Sequence, residues 1–185
     1  MTIINEPRKS FCWVFDSPTG EERGVKAAFE ELKKAGAMRV DLAWVRNHWI
    51  MILWKLAHYT RCKPQEAALW WCFEQVMRQL KYRYEREVNL AQRSAIKRIQ
   101  ERDSPASLPM ILRVFGHHKV NAEDVDSLGA MSKVKDRTCG DYDYELELTD
   151  GWYRIRARMD PTLSRAFKRG KIAQGMKLAI QGARL

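Results

Sequence analysis

The sequence lacks the short motifs that carry most recognisable catalysis. It has no GxxxxGK[ST] phosphate loop, no GxSxG nucleophile elbow and no HExxH zinc helix. Glu85 and Glu87 stand two apart in helical sequence, so their side chains diverge and do not form an acid/base pair. Cysteine is sparse: Cys12, Cys62, Cys72 and Cys139 contain no CxxC pair. His117 and His118 with Cys139 lack the spacing of a tetrahedral site, so neither metal nor cofactor is expected. Cys62 and Cys72 fall amid helical sequence and read as buried free thiols of a reducing, intracellular compartment. Long apolar runs are also missing. Trp44 to Tyr59 is the longest, and Arg46, His48 and Lys55 interrupt it. It falls short of the about 20 apolar residues that cross a bilayer. The opening MTIINEPRKSFCW has no signal-peptide core, and composition alone leaves nucleus and cytosol open.

What the chain does have is aromatic residues and positive charge. Seven tryptophans and 45% apolar residues indicate a folded core. Thirty-three Lys and Arg against 23 Asp and Glu leave a net charge of +10, which suits nucleic acid, an anionic surface or an acidic protein.

The chain divides by pattern. Residues 1–20 read as a loop with a strand at 11–15, ended by Asp16-Ser17-Pro18-Thr19-Gly20. Residues 21–105 read as a helical domain. A first helix runs 21–35 and stops at Gly36. A second, capped by Asp41, runs 42–61 and is apolar on most sides, as befits the middle of a bundle. A third begins near Gln65. Met77, Leu80, Tyr84, Val88, Ala91, Ala95 and Ile99 recur at steps of three and four, which predicts one long helix ending at Asp103-Ser104-Pro105. Its other face carries Arg78, Lys81, Arg86, Arg93, Lys97 and Arg98, a solvated face or a basic groove wall.

Residues 106–185 read as β structure. A buried strand at 109–116 precedes a long loop at 117–140. Alternating runs at 142–148 and 152–158 flank Asp150-Gly151, a strong hairpin signal. Asp160-Pro161 opens a short helix to about Lys168, and a last strand lies within 170–185. The fold class is α+β: an N-terminal helical bundle followed by an incomplete β-barrel of the five-stranded type, whose open edge is expected to need a cover. On the second hairpin strand Arg154, Arg156 and Arg158 share one face beside Trp152 and Tyr153, the mixture that grips single-stranded nucleic acid, although two aromatics beginning a strand are more often core.

Three blocks, WVRNHWIMILWKLAHYT, LKYRYEREVNLAQRSAIKRIQERDSPAS and ELTDGWYRIRARMDPTLSRAFKRGKIAQGMKLAIQGARL, resemble the breast cancer type 2 susceptibility protein family from about Gly24 to Leu185. The resemblance implies the helical domain and the start of the first OB fold of that family's DNA-binding region. It implies a nuclear, non-catalytic mediator of homologous-recombination repair of double-strand breaks, from a tumour suppressor family. It implies binding of a small acidic extended protein, single-stranded DNA held mainly by later OB folds, and a RecA-type recombinase engaged by regions outside this chain. Basic residues beside apolar surface would serve the acidic partner: Lys55, Arg83, Arg86, Arg93 and Lys97 for charge, with Trp44, Trp49 and Trp54 as an apolar floor or simply as core. DNA contact would fall to Trp152, Tyr153, Arg154, Arg156 and Arg158. Asp150, Gly151 and Trp152 match the family's TDGW turn and, with Arg102, are expected between the two domains.

Overall fold

The computed structural model describes residues 2–17, 20–119 and 144–185. Cys139, Thr19 and the 117–140 loop from residue 120 onward lie outside them. Contacts group the chain into two compact units, one of 1–98 with Gly151–Tyr153, the other of 99–150 with 154–185.

The first unit is helical. Helix α1 (Thr2–Asn5) and a 3-10 turn (Pro7–Cys12) come first. Two short strands follow, β1 (Phe15–Asp16) and β2 (Glu22–Arg23), paired antiparallel. Then come α2 (Val25–Lys34), α3 (Leu42–Cys62), a short α4 (Ala67–Trp70) and α5 (Phe73–Tyr84). Gly36 at φ +91° lets the Ala37 N–H return to the Leu32 carbonyl at 3.0 Å, closing α2. The Asp41 carboxylate accepts from the Trp44 N–H at 2.7 Å and starts α3. Helix α3 is the axis. Its Val45, Trp49, Ile52, Leu53 and Leu56 meet Ala28 and Leu32 of α2 and Phe73, Val76, Met77 and Leu80 of α5 in one buried cluster.

Three expectations change here. The opening residues are mostly helical, with α1 and the 3-10 turn over 2–12, and of the strand expected at 11–15 only Phe15 lies in β1. Ile3 and Ile4 are buried with Ala57, and the indoles of Trp49 and Trp54 donate to the Ser10 and Ile4 carbonyls, both at 3.2 Å. Apolar residues at 3 and 4 fill space that α3 leaves open, which no local pattern announces. The long helix is also broken. Helix α5 stops at Tyr84, a π turn takes Glu85–Asn89, Ala91 adopts φ +52°, and α6 spans Ala95–Gln100. The π turn carries Glu87 inward, and its carboxylate accepts from Trp44 Nε1 at 3.2 Å and from the Tyr153 hydroxyl. His48 Nε2 faces the same carboxylate at 3.4 Å. Arginine has only donors, so Arg83 Nη1 donates to His48 Nδ1 at 2.9 Å and the histidine proton sits on Nε2. Cys62 is exposed and Cys72 half-buried, so neither is the buried thiol their helical setting suggests.

The second unit is an antiparallel sheet in the order β5-β4-β3-β6: β3 (Met110–Lys119), β4 (Tyr144–Thr149), β5 (Arg154–Arg158) and β6 (Lys177–Ile180). Strand β3 is central and longer than the 109–116 expected. It bulges between Val114 and Gly116, where Gly175 N–H and Met176 C=O bond both polar groups of Val114 at 2.8 Å. Helix α7 (Pro161–Lys168) begins on the Asp160 cap, 2.7 Å from the Leu163 N–H, and sets Phe167 against His117 and Tyr144. Leu112, Val114, Phe115, Leu146 and Leu148 form the buried side of the sheet, which does not close into a barrel.

The fold predicts two outcomes. Ile4→Ala should cost about 2–4 kcal/mol in chemical denaturation, as a buried side chain in a packed core does and a loop residue would not. Glu87→Ala should cost about 1–3 kcal/mol by orphaning buried donors. Burial pushes the Glu87 carboxyl pKa up, but the bonds from His48, Tyr153 and Trp44 outweigh it and hold the net value below the usual carboxylate range. Its stabilisation is therefore complete above the ordinary carboxylate value of about 4.3 and is lost as pH falls through the lower, folded-state pKa. In urea melts across pH 2–6, Glu87→Gln should remove that part of the acid slope.

Candidate docking groove and arginine ladder

A groove of about 480 Å³ opens on the helical unit. Helix α3 supplies Lys55, Leu56 and Tyr59, α4 supplies Trp70, and α5 supplies Gln75, Arg78, Gln79, Tyr82 and Arg83; Trp152 completes it. Two of the pairs repeat a helical offset. Lys55 and Tyr59 are four apart on α3, and Arg78 and Tyr82 are four apart on α5, so a cation and an aromatic share one face on each helix. Three cations and four aromatic rings face the groove, and among the described residues no carboxylate lines it.

The electrostatics follow. Lys55 Nζ bonds only the neutral Gln79 Oε1, at 3.0 Å. Burial, then the neighbouring Arg83 charge, draws the Lys55 pKa below its usual value. Arg83 is buried, with its guanidinium 4.9 Å from the Trp152 ring centre. Glu66, beside the rim, is already occupied. It accepts from Trp70 Nε1 at 2.9 Å, from the Tyr59 hydroxyl at 3.1 Å and from Lys63 Nζ at 3.2 Å. The Trp70 indole above all, then Lys63 and Tyr59, keep its carboxyl below the usual range.

The expected partner-binding residues separate into groups. Lys55 and Arg83 are in the groove. Arg86 and Arg93 are exposed outside it; Arg86 donates to the Tyr82 hydroxyl at 2.7 Å. Lys97 sits 5.1 Å over the Tyr153 ring. Trp49 and Trp54, at 0% and 3% exposure with their indoles bonded internally, are core and offer no floor to a ligand. Trp44 is half-buried with its N–H committed to Glu87. Tyr59, Trp70, Tyr82 and Glu66 were not assigned to a site by sequence reading, and Arg78 was placed only on a basic face. The four-residue offsets were the available signal.

The hairpin arginines meet carboxylates. Strand register sets Arg158 opposite Glu145, Arg156 opposite Glu147 and Arg154 opposite Thr149. Arg158 Nε lies 3.0 Å from Glu145, and Arg154 Nη1 lies 3.5 Å from Glu147, which also has His118 at 3.6 Å. Arg154 covers the Phe115 ring at 4.9 Å. Of the three arginines, Arg156 has no partner among the described residues. Trp152 and Tyr153 group with the other unit. They are held in the helical unit, where Asn47 Nδ2 donates to the Trp152 carbonyl at 2.8 Å and His48 lies edge-on to both rings. Asp150 belongs to the sheet unit. So does Arg102, which takes φ +63° just after α6. Among the described residues no cluster of His, Cys, Asp or Glu is placed to hold a metal, and no helix is long and apolar enough to cross a membrane.

Comparison with known proteins agrees with both units. Residues 26–91 match the family model "BRCA2, helical", and residues 94–185 match "BRCA2, oligonucleotide/oligosaccharide-binding, domain 1". The chain is 36% identical over 187 residues to Protein BREAST CANCER SUSCEPTIBILITY 2 homolog A of Arabidopsis thaliana. It is 35% identical over 184 residues to homolog B of the same plant. Each alignment covers 98% of this chain but only 15% of the relative, so the chain spans a small part of their length. A helical bundle followed by an open OB sheet, two domain matches in that order and this identity along nearly every residue make the chain a member of the BRCA2 family, corresponding to its helical domain and first OB domain.

Proposed function

We propose that this chain is a non-catalytic docking scaffold of nuclear recombination repair, whose helical groove takes an extended segment of a small acidic protein. One observation carries the reading: three cations and four aromatic rings converge on a groove that no described carboxylate lines. On the hairpin, by contrast, Arg154 and Arg158 meet Glu147 and Glu145. A groove left positive and aromatic suits a ligand that brings carboxylates and apolar side chains together. The family membership supports the setting in DNA repair. Single-stranded DNA is a second ligand of the family's OB architecture, and here the sheet unit would contribute modestly, because Glu145 and Glu147 offset the arginine row.

Charge reversal tests the docking. Arg83 is unsuitable because it is buried against His48, so reversal there would unfold the unit. Lys55→Glu and Arg78→Glu are at the solvent edge, and each should weaken binding of an acidic protein about 10–100-fold in calorimetry, with little change in melting. Unchanged affinity in both variants would refute the groove as the docking site. For DNA, Arg156→Ala should reduce oligonucleotide binding more than Arg158→Ala, since Arg158 is already paired. Fluorescence anisotropy with a labelled single strand at low and high salt reads the difference.

A further inference from the structure

We propose that Glu66 is the positioning residue of the groove, holding Trp70 and Tyr59 as a ready-made wall that receives an aromatic side chain of the acidic partner. This rests on the docking reading above and adds to it the side chain that selects the ligand. The wall comes from two places: Tyr59 from the long α3, and Trp70 from α4, a helix of four residues. A helix that short has no stability of its own, so Trp70 needs outside anchors. Packing against the core cluster seats the ring, and Glu66 fixes the direction of its indole N–H. One carboxylate oxygen, Oε2, accepts from both the Trp70 indole and the Tyr59 hydroxyl, which sets the two rings 4.8 Å apart at 59°. The other oxygen, Oε1, accepts from Lys63 Nζ.

That third bond matters for an acidic ligand. A bare carboxylate beside the groove would repel it, whereas one shared by a lysine and two neutral donors does not. Lys63 also lies 5.5 Å from the Tyr59 ring centre, on the same cluster. Although Glu66 directly precedes α4, its side chain makes no capping bond to the helix backbone. Its bonds go to the side chains that form the wall. Rings held in place before binding lose little freedom when a ligand aromatic stacks on them, so the arrangement favours affinity and selects for an aromatic anchor.

The test uses the 185-residue chain and two labelled synthetic peptides. Both are twelve residues of Asp, Glu and Ser, one with a central Trp and the other with Ala in its place. The wild type should prefer the Trp peptide about tenfold by anisotropy, the scale of a single buried aromatic anchor. Glu66→Ala should abolish that preference and leave the weaker, salt-dependent binding of both peptides. Glu66→Gln, which keeps one acceptor, should retain part of the preference. A merely structural Glu66 would lower the melting temperature without changing the ratio of the two affinities. A full preference in Glu66→Ala, with Lys55→Glu and Arg78→Glu still weakening both peptides, overturns the role of Glu66 and leaves the docking reading intact. Failure of Lys55→Glu and Arg78→Glu to weaken either peptide overturns the docking reading, and this inference with it. The Trp70 indole N–H resonance, assigned by Trp70→Phe, should shift in Glu66→Ala. If it does not move, the positioning is refuted independently of any peptide.

Discussion

The carboxylate of Glu87 is the constraint from which the helical unit takes its shape. A buried charge needs donors, because isolated it would be too costly to keep ionised. Here it takes Trp44 and His48 from α3 and Tyr153 from the 151–153 turn. To reach them α5 must end early and give way to a π turn, the kind of local widening that redirects one residue of a helix. The interruption is thus the cost of facing one acid inward. From His48 the chain of contacts continues to Arg83, and from Arg83 to Trp152, which lines the groove. The groove floor is consequently held by the same polar network that organises the bundle.

Positive charge is distributed unequally between committed and uncommitted sites. The surplus of +10 describes the whole chain and says little about any one surface. On the hairpin, Arg158 pairs with Glu145 directly opposite it and Arg154 reaches Glu147 diagonally, so two of the three arginines meet carboxylates. The Arg158–Glu145 pair, exposed on its arginine side, contributes little to stability. The two pairs do, however, lower the local potential and weaken the attraction for a phosphate backbone. In the groove the reverse holds. Lys55 meets a neutral amide, and Arg78 has no charged partner among the described residues. Lys55 and Arg78 therefore stand where a ligand's carboxylates would supply the missing partners.

Much of this architecture was legible because its causes are local. Asp41 and Asp160 cap helices within three residues of themselves, Gly36 closes α2, and Asp150-Gly151 turns the hairpin, with Gly151 at φ +91°. The resemblance to the BRCA2 family located the two domains. What stayed hidden depends on partners far away in sequence. Tyr153 meets Glu87 across 66 positions, and Trp54 meets Ile4 across 50. Periodicity marks a face as apolar but does not reveal that an acid will turn into it, so the run through Val88 and Ala91 reads as one helix. Leu90, 54% exposed, lay off that stripe and was the one local hint. Tryptophans mislead in a related way: their size suits core and interface alike, and only the donor each indole finds tells the two apart.

The division of labour among the groove's cations follows from what each one touches. Arg83 is fixed between His48 and Trp152, so it supplies a permanent field without being free to reach a ligand. That field acts on Lys55, and with burial it makes the ammonium less favourable than in water. An arriving carboxylate relieves both effects at once, by supplying opposite charge and a hydrogen-bond acceptor. Arg78, exposed on α5, extends the same attraction toward solvent. Under the docking proposal, the ligand that would satisfy Lys55, Arg78 and the aromatic wall together is one that carries its negative charges next to a ring.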